Sequence, residues 1–243
     1  MNAPRIAIVS GGSSGIGKAI VTRLLRDGWT VHTCGRDPSK LAALERELPG
    51  VKTAVCDVQD RLAVRAFARG VAETSASVDL LVSNAGGLRE IDFTRADLET
   101  VDLTSELRIN TEGALHLVAE FLPAVRRAGR GAILIVGSGY GLAPATRAPV
   151  YSAAKAALHS FSKALRRQLA PLGITVTELL PPVVDTPAVV HRQVPKIAAE
   201  GVASAAVDGV LAGVGEVRPG QVRFLPLLLR LAPSLADRIV ART

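Results

Sequence analysis

Short, nearly continuous apolar runs alternate along the chain with longer stretches whose apolar residues recur every three to four positions. Arg5–Val9, Trp29–Cys34, Val51–Val55, Val78–Val82, Ala132–Val136 and Ile174–Leu180 are of strand length. Ala132–Val136, apolar at every position, reads as a strand buried on both faces, and the other runs as further strands of the same parallel sheet. Between them the spacing predicts helices from about Gly15 to Asp27, from near Pro38, over 60–75, from Leu98 to Val125 with interruptions at Asn110 and Gly113, and over 150–170. Beyond Leu180 the pattern is irregular to about Ala203, with Pro195 and Gly201 as breakers, and 185–203 is expected to cover a substrate. A helix over 204–213, a Pro219-Gly220 turn, a strand Gln221–Phe224 closing the sheet, and an apolar helix 225–239 that packs on the body or on a partner complete the order. Strand-helix alternation throughout predicts an α/β fold, a doubly wound parallel sheet in three α/β/α layers. No repeat or composition shift divides residues 1–243, which are expected to form one domain.

Composition narrows the setting. Of the 243 residues 48% are apolar, enough for a substantial core, yet no run approaches the roughly 18–20 residues of a membrane span. The opening MNAPRIAIVSGG enters a strand almost at once, unlike a secretory leader. Cys34 and Cys56 have no metal or disulfide spacing, and the expectation is a reduced, cytoplasmic protein. The net charge of +7 would suit nucleic acid. However, the basic residues are scattered, aromatics make up 3% of the chain, and the one tight cluster, Arg126 to Arg130, ends a helix where cations are favoured anyway. The charge therefore reads as a solvated surface, with no nucleic-acid partner.

The candidate chemistry lies where the strands end. Ser10-Gly11-Gly12-Ser13-Ser14-Gly15-Ile16-Gly17 joins the first strand to the first helix, and its glycines allow a tight turn and backbone amides close to a phosphate. Close helix-strand packing without a ligand would also use them. The second strand ends in Gly35-Arg36-Asp37, the place where a Rossmann unit meets the adenosine ribose. Gly35 vacates the usual acidic position and Arg36 offers a fork for an extra phosphate, which favours NADP(H) over NAD(H), while Asp37 either opposes this or starts the next helix. Ser83-Asn84-Ala85-Gly86 ends the fourth strand, either as a terminator or beside a ligand. Tyr151 and Lys155 stand four apart on one helix face, where an ammonium lowers the phenol pKa, although chance also yields such pairs. Asn110 interrupts a helix, as a plain kink or as the holder of a water beneath that pair.

Taken together the motifs resemble the short-chain dehydrogenase/reductase family over essentially the whole chain. Ser10 to Gly17 is similar to its TGxxxGxG turn with Ser for Thr, Asp57-Val58 to its adenine-contacting pair, and Ser83 to Gly86 to its NNAG with Ser for Asn. Asn110, Ser138, Tyr151 and Lys155 match its catalytic tetrad, and Pro181 to Thr186 its PGxxxT segment with Pro182 for Gly. The double proline and the Gly220 to Pro226 ending resemble the DltE-like branch. The resemblance implies a cofactor site of Gly11, Ser13, Ser14, Gly15, Ile16, Gly17, Arg36, Asp57, Val58, Asn84, Ala85, Gly86, Tyr151, Lys155, Pro181, Val184 and Thr186. It implies Tyr151 as general acid or base, Lys155 as its activator, Ser138 as the group that polarises the substrate oxygen, and Asn110 as holder of a relay water. It further implies a homodimer or homotetramer and a small to medium, largely apolar carbonyl or alcohol substrate. A cofactor-binding sensor without turnover is the alternative reading of the same fold. By itself, His159 is expected on a helix surface or in packing, and Glu178 as a satisfied structural carboxylate.

Overall fold

Within each apolar run successive side chains leave the backbone on opposite sides, so one run feeds two cores. A computed structural model describes residues 5–95, 97–190 and 193–241. In chain order it contains β1 (Ile6–Ser10), α1 (Gly15–Arg26), β2 (Thr30–Gly35), α2 (Pro38–Glu47), β3 (Lys52–Val55), α3 (Arg61–Ala72), β4 (Leu80–Ser83), α4 (Ser105–Leu107), a π-turn (Arg108–Glu112) and α5 (Gly113–Arg127). There follow β5 (Ala132–Val136), α6 (Pro149–Leu169), β6 (Thr175–Leu179), α7 (Ala199–Leu211), β7 (Glu216–Val217), α8 (Leu225–Leu231) and α9 (Pro233–Ala241). The strands pair in the order β3-β2-β1-β4-β5-β6-β7, every pair parallel. Ala7, Val9, Leu134 and Val136 pack under α1 and α7, while Ile8, Leu81, Ile133 and Ile135 pack under α3, α5 and α6. The order runs outward from β1 to β3 and then returns to β4, so a crevice opens between the carboxyl ends of β1 and β4. This is the expected doubly wound sheet.

Four sequence expectations need correction. The helix expected from Leu98 starts at Ser105, because Asp97 and Asp102 accept the N–H groups of Glu99 and Thr104 and hold the preceding stretch in turns. The helix expected at 204 starts at Ala199; a side chain at Gly201 would meet nothing within 4 Å, so this glycine is an open helix position and not a breaker. The last strand is Glu216–Val217, paired with Glu178 and Leu179, whereas Gly220–Phe224 is a 3₁₀ turn after Pro219. The terminal helix is two helices, since Pro233 has no N–H to continue α8 and instead starts α9. Both cysteines are free and buried. Among the described residues no helix is long and apolar enough to cross a membrane.

Candidate active site

The crevice is floored by a bracket between β1 and β4. The buried Ser10 hydroxyl donates to the Val82 carbonyl (3.3 Å) and accepts from the N–H groups of Asn84 (2.9 Å) and Ala85 (3.0 Å). Asn84 returns the contact, its Nδ2 donating to the carbonyls of Ser10 (2.9 Å) and Gly11 (3.2 Å). The turn bends at Gly11, whose φ of 68° lies in the left-handed region where a side chain is strained. A Cβ at Gly17 would fall 2.2 Å from the Gly11 carbonyl oxygen, so α1 begins pressed against its own turn. Asp37 and Asp60 cap α2 and α3, but Ser14 gives α1 no side-chain cap. Ser14, Gly15, Ile16 and Gly17 instead line a cavity of about 800 Å³. Such a helix end, with its first N–H groups not met by a cap and no acid in the first turn, suits a phosphate. The residues present therefore fit a dinucleotide.

At one end of the cavity β2 delivers Arg36 and α2 delivers Lys40. Arg36 is exposed, with its guanidinium 3.9 Å from Asp57 Oδ2. Asp37 is committed elsewhere: its Oδ1 accepts from Ser39 N–H (2.9 Å), Lys40 N–H (3.2 Å) and the Ser39 hydroxyl (2.6 Å), bonds that hold the carboxyl below its usual range. Asp37→Ala should therefore lower stability by removing the N-cap of α2, without altering which nicotinamide cofactor binds better. Urea denaturation and cofactor titration check both halves; a changed cofactor preference would show Asp37 facing the ribose. Asp57 accepts from Gln59 N–H (3.0 Å), and the Val58 carbonyl meets His116 Nδ1 at 2.9 Å, which fixes this strand end to α5.

The other end is built by α6, where the 3.6-residue period brings Tyr151 and Lys155 together on the cavity side. Lys155 is buried; its ammonium donates to the Val136 carbonyl at 2.9 Å and lies 5.6 Å from the Tyr151 ring centre. Burial lowers its pKa to about 8, opposed by the negative charge of Glu178. Tyr140 stands edge-on to Tyr151 with ring centres 6.2 Å apart, and its N–H donates to Ser138 Oγ at 3.1 Å. Asn110 occupies the π-turn, its Nδ2 donating to the carbonyls of Glu106 (3.0 Å) and Gly87 (2.8 Å) while Oδ1 accepts from Gly87 N–H (3.3 Å). The bond to Glu106, four residues back, takes an acceptor of the helix ladder and accounts for the extra residue in that turn.

Every site residue expected from the sequence lines this one cavity. The covering segment is shorter than expected: Val184 and Ile197 form a parallel bridge, with Asp185 N–H donating to Ile197 O (2.9 Å) and Ile197 N–H to Val183 O (3.1 Å). Val189 and Val194 of that loop reach the cavity, whereas residues 199–203 belong to α7. His191 and Arg192, also in the expected segment, lie outside the described residues. Sequence reasoning missed the apolar wall of Leu225, Leu228 and Ile239, and missed Tyr140. It also treated His159 and Glu178 separately, although His159 Nδ1 lies 2.8 Å from Glu178 Oε2.

A family model described as short chain dehydrogenase matches residues 5–195. An uncharacterized oxidoreductase of Bacillus subtilis, DltE, is 40% identical over 179 residues, covering 74% of this chain and 71% of its own. An uncharacterized short-chain type dehydrogenase/reductase of Sinorhizobium fredii is 38% identical over 186 residues, with 76% and 72% covered. Among solved structures, a short chain dehydrogenase of Burkholderia cenocepacia in complex with NADP superposes with a TM-score of 0.87 at 25% identity, covering 99% of this chain and 98% of that one. A short chain dehydrogenase/reductase of Burkholderia phymatum in complex with NAD gives 0.84 at 20% identity, with 94% and 95% covered.

Proposed function

Since this chain belongs to the short-chain dehydrogenase/reductase family, in its DltE-like branch, we propose that it is an NADP(H)-dependent oxidoreductase acting on the carbonyl or secondary alcohol of a small to medium, largely apolar substrate. One observation carries the reading: Tyr151 and Lys155 share a face of α6 in the same cavity as the uncapped, glycine-bearing start of α1. When bound, the nicotinamide supplies or accepts the hydride. The chain's own residues hold and move the proton. Tyr151 donates it to the carbonyl oxygen, or removes it from the alcohol in reverse, and the Lys155 ammonium stabilises the phenolate left behind. Ser138 donates its hydroxyl proton to the same substrate oxygen, while its Oγ is held by the Tyr140 N–H. Asn110 spends both Nδ2 hydrogens on Glu106 and Gly87, and Oδ1, which accepts from Gly87 N–H, has a second lone pair to accept from a relay water. Leu225, Leu228, Ile239 and Val189 make the substrate wall apolar and exclude water from the reacting end.

A panel of aliphatic and aryl ketones offered with NADPH, read by loss of nicotinamide absorbance, tests this. Oxidation of NADPH dependent on a ketone supports it; binding of NADPH without turnover across the panel, in either direction, would leave only a binding protein. Assembly is part of the same proposal: α5 and α6 are proposed to pair with a second copy in a closed dimer or tetramer. Light scattering at micromolar concentration should return a multiple of the 25.3 kDa chain mass, and a monomer would count against it.

A further inference from the structure

Tyr151, Lys155, His159 and Ser162 stand along one face of α6, at intervals of four, four and three residues. The proposed chemistry uses the first two, and the other two meet Glu178 of β6. Glu178 has no exposed surface. Its Oε2 accepts from His159 Nδ1 (2.8 Å) and lies 2.7 Å from the Ser162 hydroxyl. Its Oε1 has no hydrogen-bond partner among the described residues, and a Cβ at Gly137 would fall 2.7 Å from it. That oxygen is therefore packed against the residue next to Val136, whose carbonyl holds Lys155. An isolated carboxylate at such a site is costly, and so is an isolated ammonium.

The charged and titratable groups around Glu178 are Lys155, His159 and Arg166 from α6, Glu216 from β7 and Arg218 just beyond it. Glu216 already pairs with Arg218 and has Arg166 at 3.9 Å, so its charge is met without Glu178. This also argues against reading His159, Glu178 and Glu216 as a cation site. For Lys155, in contrast, the charge among the described residues that opposes the effect of burial is that of Glu178. We infer that Glu178 is a positioning residue of the proposed active site: its buried carboxylate, held by His159 and Ser162, is the counter-charge that keeps Lys155 an ammonium beside Tyr151. The inference rests on the roles proposed for Tyr151 and Lys155.

Burial favours the neutral amine and the carboxylate favours the ammonium. Removing the carboxylate's charge lowers the Lys155 pKa further, so the ammonium that favours the Tyr151 phenolate is lost at lower pH. Burial pushes the Glu178 carboxyl above its usual range, opposed by the Ser162 hydroxyl and His159 at Oε2. The Ser162 hydroxyl has one proton for two acceptors, Glu178 Oε2 and the His159 carbonyl at 3.0 Å, which makes His159 the more dependable donor.

Titration of protein carrying ¹³C at the lysine Cε, without cofactor, reads the Lys155 ammonium directly, and Lys155→Met identifies its signal. Glu178→Gln, which keeps shape and removes charge, should lower the Lys155 midpoint by about 0.5–1 pH unit. His159→Leu should lower it by a smaller amount, and carries the test if Glu178→Gln fails to fold. A midpoint that stays within about 0.2 pH unit of the parent, or rises, in the folded variants overturns the inference. The titration needs no turnover, so an inactive protein that shows the shift would sink the oxidoreductase reading alone, and an active one without it would sink only the role of Glu178.

Discussion

Replacing Tyr151 by phenylalanine should leave NADPH affinity nearly unchanged and lower ketone turnover by about 10²–10⁴, the usual worth of a positioned general acid. The substitution removes one O–H and keeps the ring, so the edge-on contact with Tyr140 and the packing beside Lys155 persist. The loss corresponds to about 2.7–5.4 kcal/mol of transition-state stabilisation. It should fall on kcat, because the ground-state ketone gains little from a phenol that has not yet given up its proton. Steady-state kinetics with a ketone from the panel, paired with NADPH titration, separates the two quantities. Turnover close to that of the wild type would remove Tyr151 from the mechanism. A parallel loss of NADPH affinity would show instead that the hydroxyl is a binding group. The pH dependence of the wild type belongs to the same test. Lys155 loses its proton at about 8, and the phenolate left by proton donation is then unsupported, so reduction should decline as pH rises through that value.

How much of this could be read from the chain differs from one part to the next, for physical reasons. β1, β4 and β5 were legible because strands covered on both faces must be apolar at every position, as Ala132 to Val136 is. The start of α1 was legible because a left-handed residue at Gly11 and the close approach at Gly17 each demand glycine. Tyr151 and Lys155 were legible because four residues on a helix make a fixed distance. The two-residue β7 is too short to show a period, and its place is set by pairing with Glu178 and Leu179. The π-turn depends on one bond, from Asn110 to the Glu106 carbonyl, that no periodicity records. The meeting of Glu178 with His159 depends on the register of α6 over β6, which follows from packing of whole layers. The wall made by α8 and α9 depends in the same way on where Leu225, Ala236 and Val240 dock against Leu180.

Arg36→Ala should erase most of a preference for NADPH over NADH while leaving NADH affinity almost untouched. The expected preference in the wild type is about ten- to a hundredfold, the effect of one charge-assisted bond worth about 1.5–3 kcal/mol. Family membership does not decide the matter, since related folds are known with NADP and with NAD. The decision falls to the residues at the end of β2. Gly35 has no side chain to contest the ribose, and its Cβ position is 3.7 Å from Ser13 Oγ, so a longer residue there would fill the space above the turn. Asp37, the acid that follows Arg36, is spent on capping α2. Among the described residues Arg36 has a loose ion pair with Asp57, at 3.9 Å and partly in solvent, and a pair of that kind costs little to exchange for a phosphate. Lys40 lines the same end of the cavity, so a residual preference of a few fold should survive in Arg36→Ala and vanish when Lys40→Ala is added. Raising the salt concentration should shrink the wild-type preference, because both cations are exposed. Titration of the two cofactors into wild type, Arg36→Ala and the double variant settles the point. Equal affinities in the wild type, or a variant that loses NADH as badly as NADPH, would mean that Arg36 holds the adenosine by stacking and does not read the 2′-phosphate.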